Sequence, residues 1–189
     1  MRKIYRKDGV LGGEERSTPI SIPKWLRESL IKEEKGHEHF SFLLEKGVFF
    51  REQFDTYPPE IPEPTGSIEK LACHMNSLVY TLQLFDAMPE KRGLLHFVTG
   101  IYSLEAKSSL VPYDRRFFLD HHSFISYKGK VLDPTIIAHP PEFFSIKEYY
   151  GVSIPCEQIV SLYEELAEEG KDIASITCFL DVVRQKACE

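Results

Sequence analysis

The chain has no apolar run near the ~18 residues that a membrane-spanning helix needs. Its first residues, MRKIYRKDGV, hold none of the apolar stretch that marks a signal peptide. These absences predict a soluble, cytoplasmic protein with no membrane partner. Cysteine is sparse as well: Cys73, Cys156, Cys178 and Cys188 are scattered over 189 residues, and no two form a CxxC pair. A chain of this length can fold without disulfides, so free thiols in a reducing compartment are expected, each acting alone if it acts at all. Basic residues are in deficit, with a formal net charge of −6. The basic cluster Arg2, Lys3, Arg6 and Lys7 is soon diluted by Asp8, Glu14 and Glu15. Phosphate binding needs a basic patch, so nucleic acid is not expected as the main partner.

What is present is core-forming. Hydrophobic residues make up 42%, with thirteen Phe and nine Tyr, enough to bury a sizeable interior. Residues 1–20 have glycines and charges without periodicity, and are expected to be a flexible or irregular N-terminal segment. Residues 21–189 read as one domain. Pro23 suits a helix start, with Trp25, Leu26, Leu30 and Ile31 at helical spacing and Gly36 as the stop. A short second helix (Phe40, Leu43, Leu44) ends at Gly47, and Val48-Phe49-Phe50 begins an extended segment. The proline-rich stretch 54–66 reads as a stiff surface loop.

Met75, Leu78, Val79, Leu82 and Phe85 then form an amphipathic helical stripe that ends near Pro89. Leu95–Leu104 reads as a strand broken or bulged at Gly100. Residues 121–135, HHSFISYKGKVLDPT, read as a hairpin turning at Lys128-Gly129. Tyr149-Tyr150-Gly151 is ambiguous between packing and the rim of a cleft. Two terminal helices are expected, one from about Pro155 to Glu169, closed by Gly170, and one beginning near Asp172. The predicted class is α+β: a central helix carrying Cys73 on a small antiparallel sheet, with N- and C-terminal helices flanking it.

The hairpin points to a site. With a two-residue loop at Lys128-Gly129, Ile125 faces Leu132, Phe124 faces Asp133 and His122 faces Thr135. His122 and Asp133 then become diagonal neighbours on one face, close enough for imidazole and carboxylate to meet. His121 points to the other face, and a longer turn would exchange the two histidines. A histidine oriented by a carboxylate is a general base in need of a nucleophile. Cys73 is the candidate, because a helix start stabilises a thiolate. That effect weakens if the helix already begins at Ser67.

The order of Cys73 near a helix start, His122 on a strand and Asp133 on the next resembles the transglutaminase-like and papain-like cysteine superfamily. HHSFISYKGKVLDPT is similar to its histidine-to-aspartate segment. ACHMNS resembles the Cys-x-x-Asn of a group of uncharacterised bacterial and phage proteins. The resemblance spans roughly residues 65–155. It implies Cys73 as nucleophile, His122 as base and Asp133 as orienting acid, with Asn76 in a supporting position and no cofactor. His74 stands where an aromatic residue usually follows the nucleophile. No upstream glutamine is tied to the site, although Gln53 exists.

The expected function is a cysteine hydrolase or acyl-transferase acting on a peptide, protein or small amide or ester. Two other readings stay open. One is a non-catalytic interaction domain that keeps the fold, and the other a zinc site using Cys73, His121 or His122, and Asp133. Plainer roles remain for single residues: Cys73 as core, Asp133 as a turn residue, Asn76 as a local hydrogen bonder. His37, His39, His74, His96 and His139 are expected to be structural or on the surface.

Overall fold

The computed structural model describes residues 4–5, 19–20, 43, 46–108, 117–170 and 183. The helix expected over 23–31, His37, His39, most of the C-terminal helix, Cys178 and Cys188 lie outside the described residues. Within the first twenty residues, β1 (Ile4–Tyr5) pairs antiparallel with β2 (Pro19–Ile20). The main elements follow. They are β3 (Val48–Phe50), α1 (Cys73–Ala87), a 3-10 turn (Pro89–Leu94), β4 (Leu95–Ala106), β5 (Phe117–Tyr127), β6 (Lys130–Leu132), α2 (Pro134–Ala138), β7 (Phe144–Pro155) and α3 (Cys156–Glu168).

The fold is α+β. Five strands form one antiparallel sheet in the order β3-β7-β4-β5-β6. The β5–β6 hairpin has the expected register, Ile125 opposite Leu132, because Lys128 (φ +52) and Gly129 (φ +80) make a two-residue left-handed turn. β7 is a twelve-residue strand where only an ambiguous Tyr-Tyr-Gly was read, and it pairs with β4 along most of its length.

β4 also departs from expectation, running unbroken through Gly100, with its irregularity at Ser103/Leu104. Gly100 is instead a point of close approach. A Cβ there would lie 2.1 Å from Tyr150 O and 2.5 Å from the Gly151 Cα across the strand.

The two faces of the sheet bury different material. Phe97, Ile101, Tyr150, Val152 and Ile154 meet Leu78 of α1 and Ile159, Leu162 and Leu166 of α3 in the main core. At ~1.5–3 kcal/mol for each large apolar side chain removed from water, this layer contributes most of the driving force. The opposite face gathers Phe50, Val98, Phe124, Val131 and Tyr149.

α1 does not bury the stripe that its apolar residues suggest. Its buried residues are Asn76, Ser77, Leu78, Tyr80, Thr81 and Leu84, while Val79 is 42% exposed. The helix is turned because Asn76, Ser77 and Tyr80 have hydrogen-bond partners inside. The proline-rich stretch is irregular as expected, but it is not all surface. Ile61 is buried against Tyr80 and Leu84, and Tyr80 Oη donates to Pro62 O at 2.6 Å.

Candidate active site

β6 is short, and the site depends on that. Within the hairpin it pairs with Ile125–Tyr127, the last three residues of β5. Upstream, the outer edge of β5 is met by the start of α1. Ser77 Oγ donates to Ser123 O at 2.8 Å, and one turn earlier Cys73 Sγ lies 3.9 Å from His121 O. The helix begins at Cys73, so the sulfur sits in its first turn rather than two turns inside. Ala72, at the N-cap, makes no side-chain cap, leaving the first-turn N–H groups uncapped by any side chain.

Asp133 leaves the ladder instead of pairing with Phe124, because Pro134 and Thr135 open α2. The carboxylate serves two ends. Oδ1 caps α2, accepting from Thr135 N and Ile136 N at 3.1 Å each. Oδ2 accepts from His122 Nε2 at 2.5 Å and from Tyr149 Oη at 3.1 Å. The turn role and the site role of Asp133 therefore coexist in one side chain. His122 is buried, as is Asp133, and the pair is taken out of water together. Their mutual hydrogen bonding offsets a desolvation that either alone would suffer in full.

Aromatic rings wall this face. Tyr102 stands edge-on to His122, with centroids 4.3 Å apart, and Tyr149 lies 6.0 Å away. Opposite His122 in the register lies Gly100, followed by Gly151 on the next strand, so no side chain from either competes for the ring's space.

With Nε2 committed to Asp133, the other ring nitrogen of His122 is the one left for Cys73. Burial alone would raise the Cys73 thiol, but hydrogen bonds from His122 and His74, with the charge they carry, bring it down to about 6. Burial works against a charged His122, yet the Asp133 carboxylate, its hydrogen bond and the Cys73 sulfur raise that ring to about 10. Both shifts favour the same state, a thiolate beside an imidazolium. Burial, Asp120, Cys73 and Asp133 push the Tyr102 phenol up to about 12, and burial with Asp133 pushes Tyr149 far above its ordinary range.

Asn76 lies one turn beyond Cys73, and its bonds run to the scaffold. Its Nδ2 donates to Glu69 O at 2.8 Å and to Thr135 Oγ1 at 2.9 Å, and its Oδ1 accepts from Glu69 N at 3.2 Å. It ties the approach to α1 to the segment that carries Asp133. His139, read as a surface residue, is exposed but joins that brace: its Nε2 donates to Ile68 O at 2.7 Å. Between these ties Leu71 holds φ +67 and is 91% exposed, a strained backbone two residues before the sulfur.

Two residues were missed from sequence. Tyr149 is one, because β7 was not recognised as a strand. His74 is the other: expected to be structural or on the surface, it helps to lower the Cys73 thiol. His121 contributes its carbonyl to Cys73, and Gln53 is an exposed residue bridging Val131 through its backbone. Among the described residues no three His, Cys, Asp or Glu side chains are grouped to hold a metal ion, and no helix is long and apolar enough to cross a membrane. No family model, curated protein or solved structure matches the chain.

Proposed function

We propose that the protein is a cysteine-dependent hydrolase or acyl-transferase of the transglutaminase-like or papain-like kind. Cys73 is its nucleophile, His122 its base and acid, and Asp133 its orienting group. The observation that carries this reading is the position of His122. It is buried, bonded through Nε2 to Asp133 at 2.5 Å, and near enough to Cys73 to lower its thiol.

In the reaction, the Cys73 thiolate attacks the carbonyl carbon of an amide or ester and a C–S bond forms. The carbonyl π electrons move to oxygen, where the uncapped first-turn N–H groups of α1 accept the charge. The C–N or C–O bond then breaks as the His122 imidazolium gives its proton to the leaving group. Neutral His122 next takes a proton from water or an amine, which attacks the thioester and releases Cys73 as thiolate. Asp133 keeps Nε2 protonated throughout, and Tyr149 with the two backbone N–H groups donates to Asp133 and fixes its orientation. The substrate is a peptide, a protein or a small amide or ester. A thiolate of this kind needs reducing surroundings, which fits the cytoplasm.

The test is acylation by p-nitrophenyl acetate, followed by mass spectrometry of the intact and digested chain. The expected result is a burst of about one nitrophenolate per chain with the acetyl group on the Cys73 peptide. Acetylation of lysines alone, with Cys73 unmodified, rejects the reading.

A further inference from the structure

Two imidazoles act on the Cys73 thiol. His122 reaches it from the aromatic-walled face of β5, and His74 from the helix that carries Cys73 itself. His74 is not placed by chance packing. Its Nδ1 lies 2.7 Å from Ser123 Oγ, and the main chain of Ser123 is in turn gripped by Ser77 Oγ at 2.8 Å. Ser123 is fully buried. Among the described residues His74 Nδ1 is the one partner of its hydroxyl, so the hydroxyl hydrogen finds an acceptor only if it points at Nδ1. That places the ring proton of neutral His74 on Nε2, the ring nitrogen that Ser123 does not engage.

From this arrangement we propose that His74 is a second donor to the Cys73 sulfur, locked by Ser123 as the Nε2–H tautomer. Partly solvent-exposed, it shares the reacting atom with His122. The inference rests on the proposed role of Cys73 and adds a member to that site. As the thiolate attacks, the Nε2–H hydrogen bond slides from sulfur toward the developing oxyanion, and no proton is transferred from His74. It thereby supplies the oxyanion donor for which no upstream glutamine is tied to the site. The other titratable groups around the sulfur are His122 on β5, His121 on the Ser123 face of the same strand, and Tyr102 on β4. Asp120 and Asp133 act on Tyr102.

The test reads thiol chemistry and not turnover. Iodoacetamide labelling of Cys73 is followed against pH by peptide mass spectrometry in the wild type, His74→Phe, His74→Gln, Ser123→Ala and His122→Ala. A lost hydrogen bond to an anion predicts a midpoint raised by about one to two pH units in His74→Phe, a ten- to hundredfold loss of thiolate in acid. His74→Gln should recover most of this, because its terminal amide N–H falls where Nε2–H was. Ser123→Ala, which touches no sulfur and removes little volume, should shift the midpoint the same way by less. An unmoved midpoint in both His74→Phe and Ser123→Ala overturns the inference. If only His122→Ala moves it, the triad reading stands without His74. If the wild-type midpoint is that of an ordinary thiol, the triad reading itself fails.

Discussion

Cys73 and Cys156 occupy the same kind of position and behave in opposite ways. Each is the first residue of a helix, α1 or α3, and each follows an N-cap residue with no capping side chain. Each is a free thiol. Burial raises Cys156 to about 12, helped by the charge of Glu157 and opposed only by a hydrogen bond with the Phe97 backbone. Cys73, also largely withdrawn from water, falls to about 6. The partial positive charge of a helix start is common to both, so it does not decide the outcome. The two imidazoles at Cys73 do.

The widest test of that contrast is reagent selectivity. At pH 7 the two thiolate populations differ by a factor on the order of 10⁵, so limited iodoacetamide should label Cys73 and leave Cys156 untouched in the native state. Equal labelling before unfolding would erase the contrast.

Next in size is the loss of the partner. His122→Ala should lower the acylation rate by about 10³–10⁴, whereas His121→Ala should stay close to wild type because its ring is on the other face. A severe loss in His121→Ala, with His122→Ala unaffected, would reassign the base.

The pH dependence sharpens the same comparison. A thiolate forms as pH rises through about 6, and the imidazolium is lost as pH rises through about 10, so turnover should be bell-shaped between those limbs. Cys73→Ala, which removes both limbs with the sulfur, should leave no residual bell.

The smallest effect expected is in stability. Tyr149→Phe takes one donor from the buried Asp133 carboxylate and should cost about 1–3 kcal/mol in chemical denaturation. A denaturation midpoint identical to wild type would show that Tyr149 does not support the carboxylate.

The hairpin was legible because its turn chemistry is local. Lys128-Gly129 sets a two-residue loop, the loop sets the register, and the register puts His122 and Asp133 on one face. The start of α1 was legible only as a choice between Cys73 and Ser67. The rest was hidden for identifiable reasons. The buried side of α1 includes Asn76 and Ser77, polar residues that enter the interior because partners wait there, and Thr81, whose buried hydroxyl has none. β7 starts as FSIKEYY, which mixes charge into a strand and hides its period. Without β7 there is no Tyr149 beside Asp133. The contact of His74 with Ser123, 49 positions away, has no local signature at all.

The shortness of β6 has a consequence for how the protein fails. An exposed strand edge invites pairing with another chain, and here the edge of β5 at His121 and Ser123 is sealed by side chains of α1 rather than by a neighbouring strand. The seal and the proposed nucleophile are in the same turn of helix. Lifting that turn disarms the site and uncovers a template for aggregation in a single event. On heating, the loss of Cys73 reactivity and the rise of light scattering should therefore begin at one temperature, ahead of the melting of the main core.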